Sequence, residues 1–82
     1  MTHDEIWEVL CRHVRDVLGN VQGGKIYPGQ SLRDLGANSL DRMDIMVGAV
    51  NELQLNIPTA ALAVTPTLGE LADLLRARSE QP

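Results

Sequence analysis

Apolar residues return at helical intervals in three stretches of this chain and lose that rhythm between the first two. Ile6, Val9, Leu10, His13, Val14, Val17 and Leu18 follow the i, i+3, i+4 spacing of one helix face. Thr2, with Glu5 three residues on, fits a capping box ahead of them, and Gly19-Asn20 supplies a stop. A second series begins at Leu40 and runs to about Leu53. Its helix opens at Asn38 or Ser39: Asn38 is a good N-cap, and Asp41 near position N3 suits the positive helix end. Pro58 opens a short helix with Thr59 to Val64 as its body. "VTPT" then breaks the chain. Thr67 with Glu70 makes another capping box, and Leu68, Leu71, Ala72, Leu74 and Leu75 form the last apolar face. "LQLNI" at 53–57 alternates as a strand would, but it is short and sits at a helix end. The pattern predicts an all-α bundle of three main helices and one short one.

The stretch without rhythm, "GNVQGGKIYPGQSLRDLGA" at 19–37, holds glycines 19, 23, 24, 29 and 36 and Pro28. It reads as a long loop. Unstructured loops of that length are uncommon in compact domains, so it should be pinned or functional. Ile26, Leu32 and Leu35 are the expected pins.

On a wheel of about 100° per residue, the second helix carries two apolar stripes. Ile45, Met46, Ala49 and Leu53 form one; Leu40, Met43, Val47 and Val50 form its neighbour. Together they span roughly 200°, whereas a core-facing stripe needs little more than about 100°. Either both are buried, partly beneath the loop, or the second is an exposed docking patch beside Ser39. Asp41 and Asp44 would flank such a patch and meet basic partners, although acids on a helix are commonly just a solvated face.

Composition narrows the class. Eighty-two residues suit one domain (1–82, ordered over about 3–78) with one small core and little room for an enclosed active site. The only aromatics are Trp7 and Tyr27, so the core must be aliphatic. A net charge of −4 speaks against nucleic acid and for basic partners. Cys11 is the only cysteine, so no internal disulfide can form; it reads as a small helix residue rather than a nucleophile. No stretch approaches the roughly 18 apolar residues of a membrane span, and the acidic N-terminus does not read as a signal peptide. A monomer in a reducing cytoplasm is the expectation, with "EQP" a frayed tail.

The chemistry centres on "DLGANSLDRMDIM", residues 34–46, where a serine stands at a turn-to-helix junction. Serine there is commonly a local cap. A catalytic serine needs a base in reach, but the Gly-x-Ser-x-Gly elbow is absent and both histidines, His3 and His13, lie on the first helix. Two histidines without a cysteine pair do not make a metal site. The third option is attachment. A hydroxyl among unpaired backbone N–H groups at a helix N-terminus favours a bound phosphate.

This segment resembles the prosthetic-group segment of acyl carrier proteins, whose usual form is Leu-Gly-x-Asp-Ser-Leu-Asp-x-x-Glu-Leu. Leu35, Gly36, Ser39, Leu40 and Asp41 match it, and Asp44 and Ile45 match conservatively. "LNIP" at 55–58 and "TPTLGELADLL" are similar to the family's downstream segments, so the resemblance covers nearly the whole chain. It implies an acyl-carrier-like four-helix bundle. It also implies that a phosphopantetheinyl transferase modifies Ser39 with 4′-phosphopantetheine, whose thiol then carries acyl thioesters. The chain itself would catalyse nothing; it would deliver a tethered group at high effective concentration.

Three departures shift the expectation within the family. Asn38 replaces an aspartate, Val50 and Asn51 stand where acids are frequent, and Arg42 adds a positive charge. The expected partner face, Leu40, Asp41, Arg42, Met43, Asp44, Val47 and Val50, is thus less acidic than in fatty-acid carriers. "GANSLDRMDI" is similar to discrete carriers of polyketide pathways, particularly those supplying the acetyl-derived unit to an HMG-CoA-synthase-like enzyme during β-branching. Such a carrier would be loaded with malonyl by an acyltransferase, and a ketosynthase-like decarboxylase would leave acetyl. A fatty-acid, peptidyl or aminoacyl carrier, or a helical adaptor with Ser39 as a plain cap, are the rival readings.

Overall fold

The computed structural model describes residues 2–19 and 25–79. Four helices follow in order: α1 (His3–Leu18), α2 (Ser39–Glu52), α3 (Thr59–Ala63) and α4 (Leu68–Ser79). No strand occurs among the described residues, so "LQLNI" is not one. The all-α expectation and the three-plus-one division hold.

Helix starts follow the capping chemistry. Thr2 Oγ1 accepts from the Glu5 N–H at 3.2 Å, and Glu5 Oε1 accepts from the Thr2 N–H at 3.4 Å. At α4 the Glu70 N–H donates to Thr67 Oγ1 at 3.2 Å. The loop completes that cap: the carbonyls of Gln30 and Pro28 accept from the Leu68 and Gly69 N–H groups at 2.8 and 2.9 Å. These bonds satisfy donors that the helix leaves orphaned. They also fasten the loop over the start of α4.

α1 packs against both α2 and α4. Ile6, Leu10 and Val14 of α1 meet Ile45, Met46, Ala49 and Val50 of α2, and Leu68, Leu71, Ala72 and Leu75 of α4. Leu62 closes the core from α3. Each such side chain contributes about 1.5–3 kcal/mol when fully buried. Tyr27 is exposed and Trp7 only partly covered, so the core is aliphatic as expected. Leu74, Val9, Val17 and Leu18 lie at its margin. Val64, expected inside α3, falls just past its end and is exposed.

The long-loop expectation is corrected over 31–37. Asn20, Gly23 and Gly24 lie outside the described residues. Further on, Ser31 and Asp34 form a reciprocal pair, each N–H donating to the other's side chain at 3.0 Å. The turn between them ends at Gly36, whose φ of +92° suits only a residue without Cβ strain. Its N–H donates to the Arg33 carbonyl, and the Ala37 N–H to the Leu32 carbonyl, both at 3.0 Å. That is the Schellman pattern, so this segment is a capped helical turn rather than loose chain. Of the expected pins, Leu32 is buried, while Ile26 and Leu35 are partly buried against the core.

The same termination recurs after α2. Leu55 N–H donates to the Val50 carbonyl at 3.0 Å and Gln54 N–H to the Asn51 carbonyl at 3.1 Å. Gln54 takes the left-handed position with φ of +56°. The apparent alternation at 53–57 is thus a helix stop whose outer residues Leu53 and Ile57 turn inward.

Candidate functional site

The N-terminus of α2 is built by Asn38. Its Oδ1 accepts from the Asp41 N–H at 2.8 Å, and Asp41 Oδ2 accepts from the Asn38 N–H at 3.2 Å. Ser39 is therefore the first helical residue and not the cap. Its side chain is exposed and takes part in no hydrogen bond among the described residues. The plain-cap reading loses its role, because that role is already filled. A free hydroxyl stands among the orphan N–H groups of a first turn, where a negative charge is stabilised.

Ser39 opens onto a cleft of about 190 Å³ between α2, α3, the α3–α4 linker and the start of α4. Met43, Met46, Leu62, Leu68 and Leu71 give it an apolar lining; Ser31, Thr65 and Thr67 add hydroxyl-bearing side chains, and Arg42 a guanidinium. An apolar cavity near 150 Å³ accommodates benzene, so a cleft of this size has room for a short acyl group. Of these cleft residues the sequence singled out Arg42 and Met43, and those only for a partner face. Leu68 and Leu71 read as the apolar face of the last helix and Leu62 lay unremarked in the short one; only the packing of α3 beside α2 brings them to Ser39.

The residues expected on a partner face differ in exposure. Leu40, Met43 and Val47 are 76%, 39% and 37% exposed. Asp44 and Arg42 are also exposed. Val50 is corrected: it is only 7% exposed and belongs to the core. Three turns of helical drift carry it to about 40° from Met46, inside the buried sector. It cannot present an apolar group to a partner. Asp41 is half-buried, and its carboxylate is engaged in the cap.

No serine–histidine pair forms. His13 Nε2 lies 2.9 Å from Glu52 Oε1, at the opposite end of α2 from Ser39. His3 Nε2 lies 3.4 Å from Asp73 on α4. Arg12 forks onto both oxygens of Glu52. That bond is the main cause of the lowered Glu52 pKa. Cys11 is buried, and burial pushes its thiol above the usual range, as befits a packing residue. Among the described residues, no group of three or more His, Cys, Asp or Glu could hold a metal ion, and no helix is long and apolar enough to cross a membrane.

The geometry fits a phosphodiester on Ser39 Oγ: an unengaged hydroxyl, unpaired N–H groups, a nearby guanidinium and an open path. Comparison with known proteins points the same way. The family model described as "Phosphopantetheine attachment site" matches residues 8–75. A curated relative, the polyketide biosynthesis acyl-carrier-protein AcpK of Bacillus subtilis (strain 168), is 36% identical over 75 residues, covering 92% of each chain. A solved chain from the crystal structure of the curacin biosynthetic pathway HMG synthase in complex with acetyl donor-ACP superposes with a TM-score of 0.85 at 31% identity. That match covers 94% of this chain and 99% of the other. This chain therefore belongs to the phosphopantetheine-attachment family, as an acyl carrier protein that bears a covalent 4′-phosphopantetheine and serves enzymes as a loaded substrate rather than as a catalyst.

Proposed function

We propose that Ser39 is the attachment residue and that the chain serves a polyketide pathway as acetyl donor to an HMG-CoA-synthase-like enzyme. The observation that carries the first part is the exposed Ser39 hydroxyl, left unengaged because Asn38 does the capping. The likenesses to a polyketide carrier and to an acetyl-donor ACP favour the second. So does the modest acidity of α2, since Arg42 adds a positive charge and Asn51 stands where acids are frequent in fatty-acid carriers.

Loading requires a phosphopantetheinyl transferase. The Ser39 Oγ–phosphorus bond forms as the pyrophosphate of coenzyme A breaks, and 3′,5′-ADP leaves. The serine proton passes to a base of the transferase, because both histidines of this chain are engaged elsewhere. Once attached, the group supplies a mobile thiol for thioester carriage. Leu40, Met43 and Val47 offer partner enzymes an apolar face, and Asp44 a negative charge. Val50 is left out of that face. The further partners of this reading are an acyltransferase and a ketosynthase-like decarboxylase, met by a cytoplasmic monomer.

The test is direct. Coenzyme A and a promiscuous transferase should add one phosphopantetheine to the wild type, read by intact mass, and none to Ser39→Ala. Acetyl-loaded protein should then pass acetyl to an HMG-CoA-synthase-like enzyme. Unchanged wild-type mass sinks the attachment. A holo protein that takes an aminoacyl group but refuses malonyl and acetyl sinks the polyketide assignment alone.

A further inference from the structure

Arg42 breaks the pattern of α2. On a wheel of about 100° per residue it lies within roughly 60° of Ile45, Met46 and Ala49. Those three are buried, yet Arg42 is exposed. A guanidinium on a core-facing meridian would ordinarily demand a partner. The first turn of α2 overhangs the cleft instead, and Arg42 shares the lining of that cleft with Ser39. No hydrogen bond or ion pair engages the guanidinium among the described residues. The neighbouring acids do not supply one. Asp41 caps the helix, Asp34 closes its own turn with Ser31, and Asp44 projects about 160° away around the helix.

Side chains three residues apart on a helix are neighbours, with Cβ atoms about 5–6 Å apart. A phosphodiester on Ser39 would carry its negative charge on two non-bridging oxygens within reach of Arg42. The planar fork of a guanidinium matches that geometry, which an ammonium does not. We infer that Arg42 clamps the phosphodiester of the Ser39-borne arm and holds its first segment on the cleft side of α2. This rests on Ser39 being the attachment residue. Leu40 and Val47 lie about 160° and 140° around the helix from Arg42. The clamp therefore keeps the arm's root clear of the apolar face that partners would use. Arg42 is thus a positioning residue toward the arm, and its charge is spent within the chain until a partner competes for the phosphate.

The experiment uses holo protein, with loading at Ser39 first verified by intact mass and the Ser39→Ala control. The phosphorus resonance of the arm, and relaxation of the protons beside it, are compared in wild type, Arg42→Gln and Arg42→Lys. Amide spectra check that each variant keeps its fold. In the wild type the phosphorus signal should be displaced from that of the same phosphodiester in urea-unfolded holo protein, with faster relaxation of the neighbouring protons than in Arg42→Gln. Arg42→Gln and high salt should abolish both, and Arg42→Lys should retain part. Identical phosphorus position and relaxation in wild type and Arg42→Gln overturns the clamp while leaving the attachment intact. Wild type that stays bare, or is loaded elsewhere, overturns the attachment reading itself, and the clamp with it.

Discussion

The two ends of α2 are built in opposite ways. At the C-terminal end, Glu52 is held by Arg12 and His13 of α1, Leu53 is buried, and the helix stops in a closed hydrogen-bonded turn at Gln54. At the N-terminal end, Ser39 is unengaged, Leu40 stands 76% exposed, and a cleft separates the first turns from α3 and α4. One helix is thus clamped at one end and open at the other. The clamped end fixes where the open end points, which is what the role proposed for Ser39 requires. Local stability and accessibility are divided along a single element rather than between elements.

The same substitution at the two ends should expose the difference. Leu53→Ala removes a buried side chain and should cost about 2–5 kcal/mol in urea unfolding. Leu40→Ala should stay within about 0.5 kcal/mol of wild type. The ranking reverses in transfer assays with partner enzymes, where Leu40→Ala should be the slower carrier. Equal stability losses would mean that the open end is packed as tightly as the other.

A smaller effect is expected where Gly48 of α2 faces His13 of α1. A Cβ on Gly48 would stand 2.7 Å from His13 Nδ1. The imidazole is part-buried and bonded to Glu52, so it has little freedom to retreat. Gly48→Ala should therefore destabilise by about 1–3 kcal/mol through overpacking. In a His13→Ala background the clash is gone, and Gly48→Ala should stabilise by up to about 1 kcal/mol through helix propensity. A double-mutant cycle that shows no such change of sign breaks the close-contact account.

The fold was legible in the sequence because its signals are local. Thr2 with Glu5, Asn38 with Asp41 and the i, i+3, i+4 series each depend on residues within one or two turns. The turn at 31–37 was legible too, but only to a search for Ser31 and Asp34 at capping-box spacing followed by Gly36. Five glycines in one stretch drew the reading toward loose loop instead. Ser39 stood out from its motif, whereas the cleft beside it did not. Its walls come from the 31–37 turn, α2, α3, the 65–67 linker and α4, and no periodicity encodes that meeting. Val50 was misplaced for a related reason. A wheel gives angles but not the width of the buried sector, which depends on what packs above it. Gly48 carries no signal in the sequence; only the imidazole of His13 over it shows why a residue without Cβ stands there.

The last and smallest effect lies in acid. The Arg12 guanidinium holds the Glu52 carboxyl below its ordinary value of 4.5, with a lesser contribution from His13. A group whose folded-state pKa is depressed adds stability that is present above the unfolded value and is lost as pH falls through the folded one. Wild type should thus exceed Glu52→Gln in stability at neutral pH, and the gap should close as pH drops below the ordinary glutamate range. Because the pair is solvent-exposed, the gap is small and salt should narrow it at neutral pH as well. Urea midpoints of the two proteins across that pH range, at low and high salt, provide the check. The clamped end of α2 then divides into a packing part that ignores pH and an ionic part that does not. If the gap persists unchanged in acid, the Arg12–Glu52–His13 contact does not help tie this end of α2 to α1, and packing of Val14, Ala49, Val50 and Leu53 holds it without an ionic part.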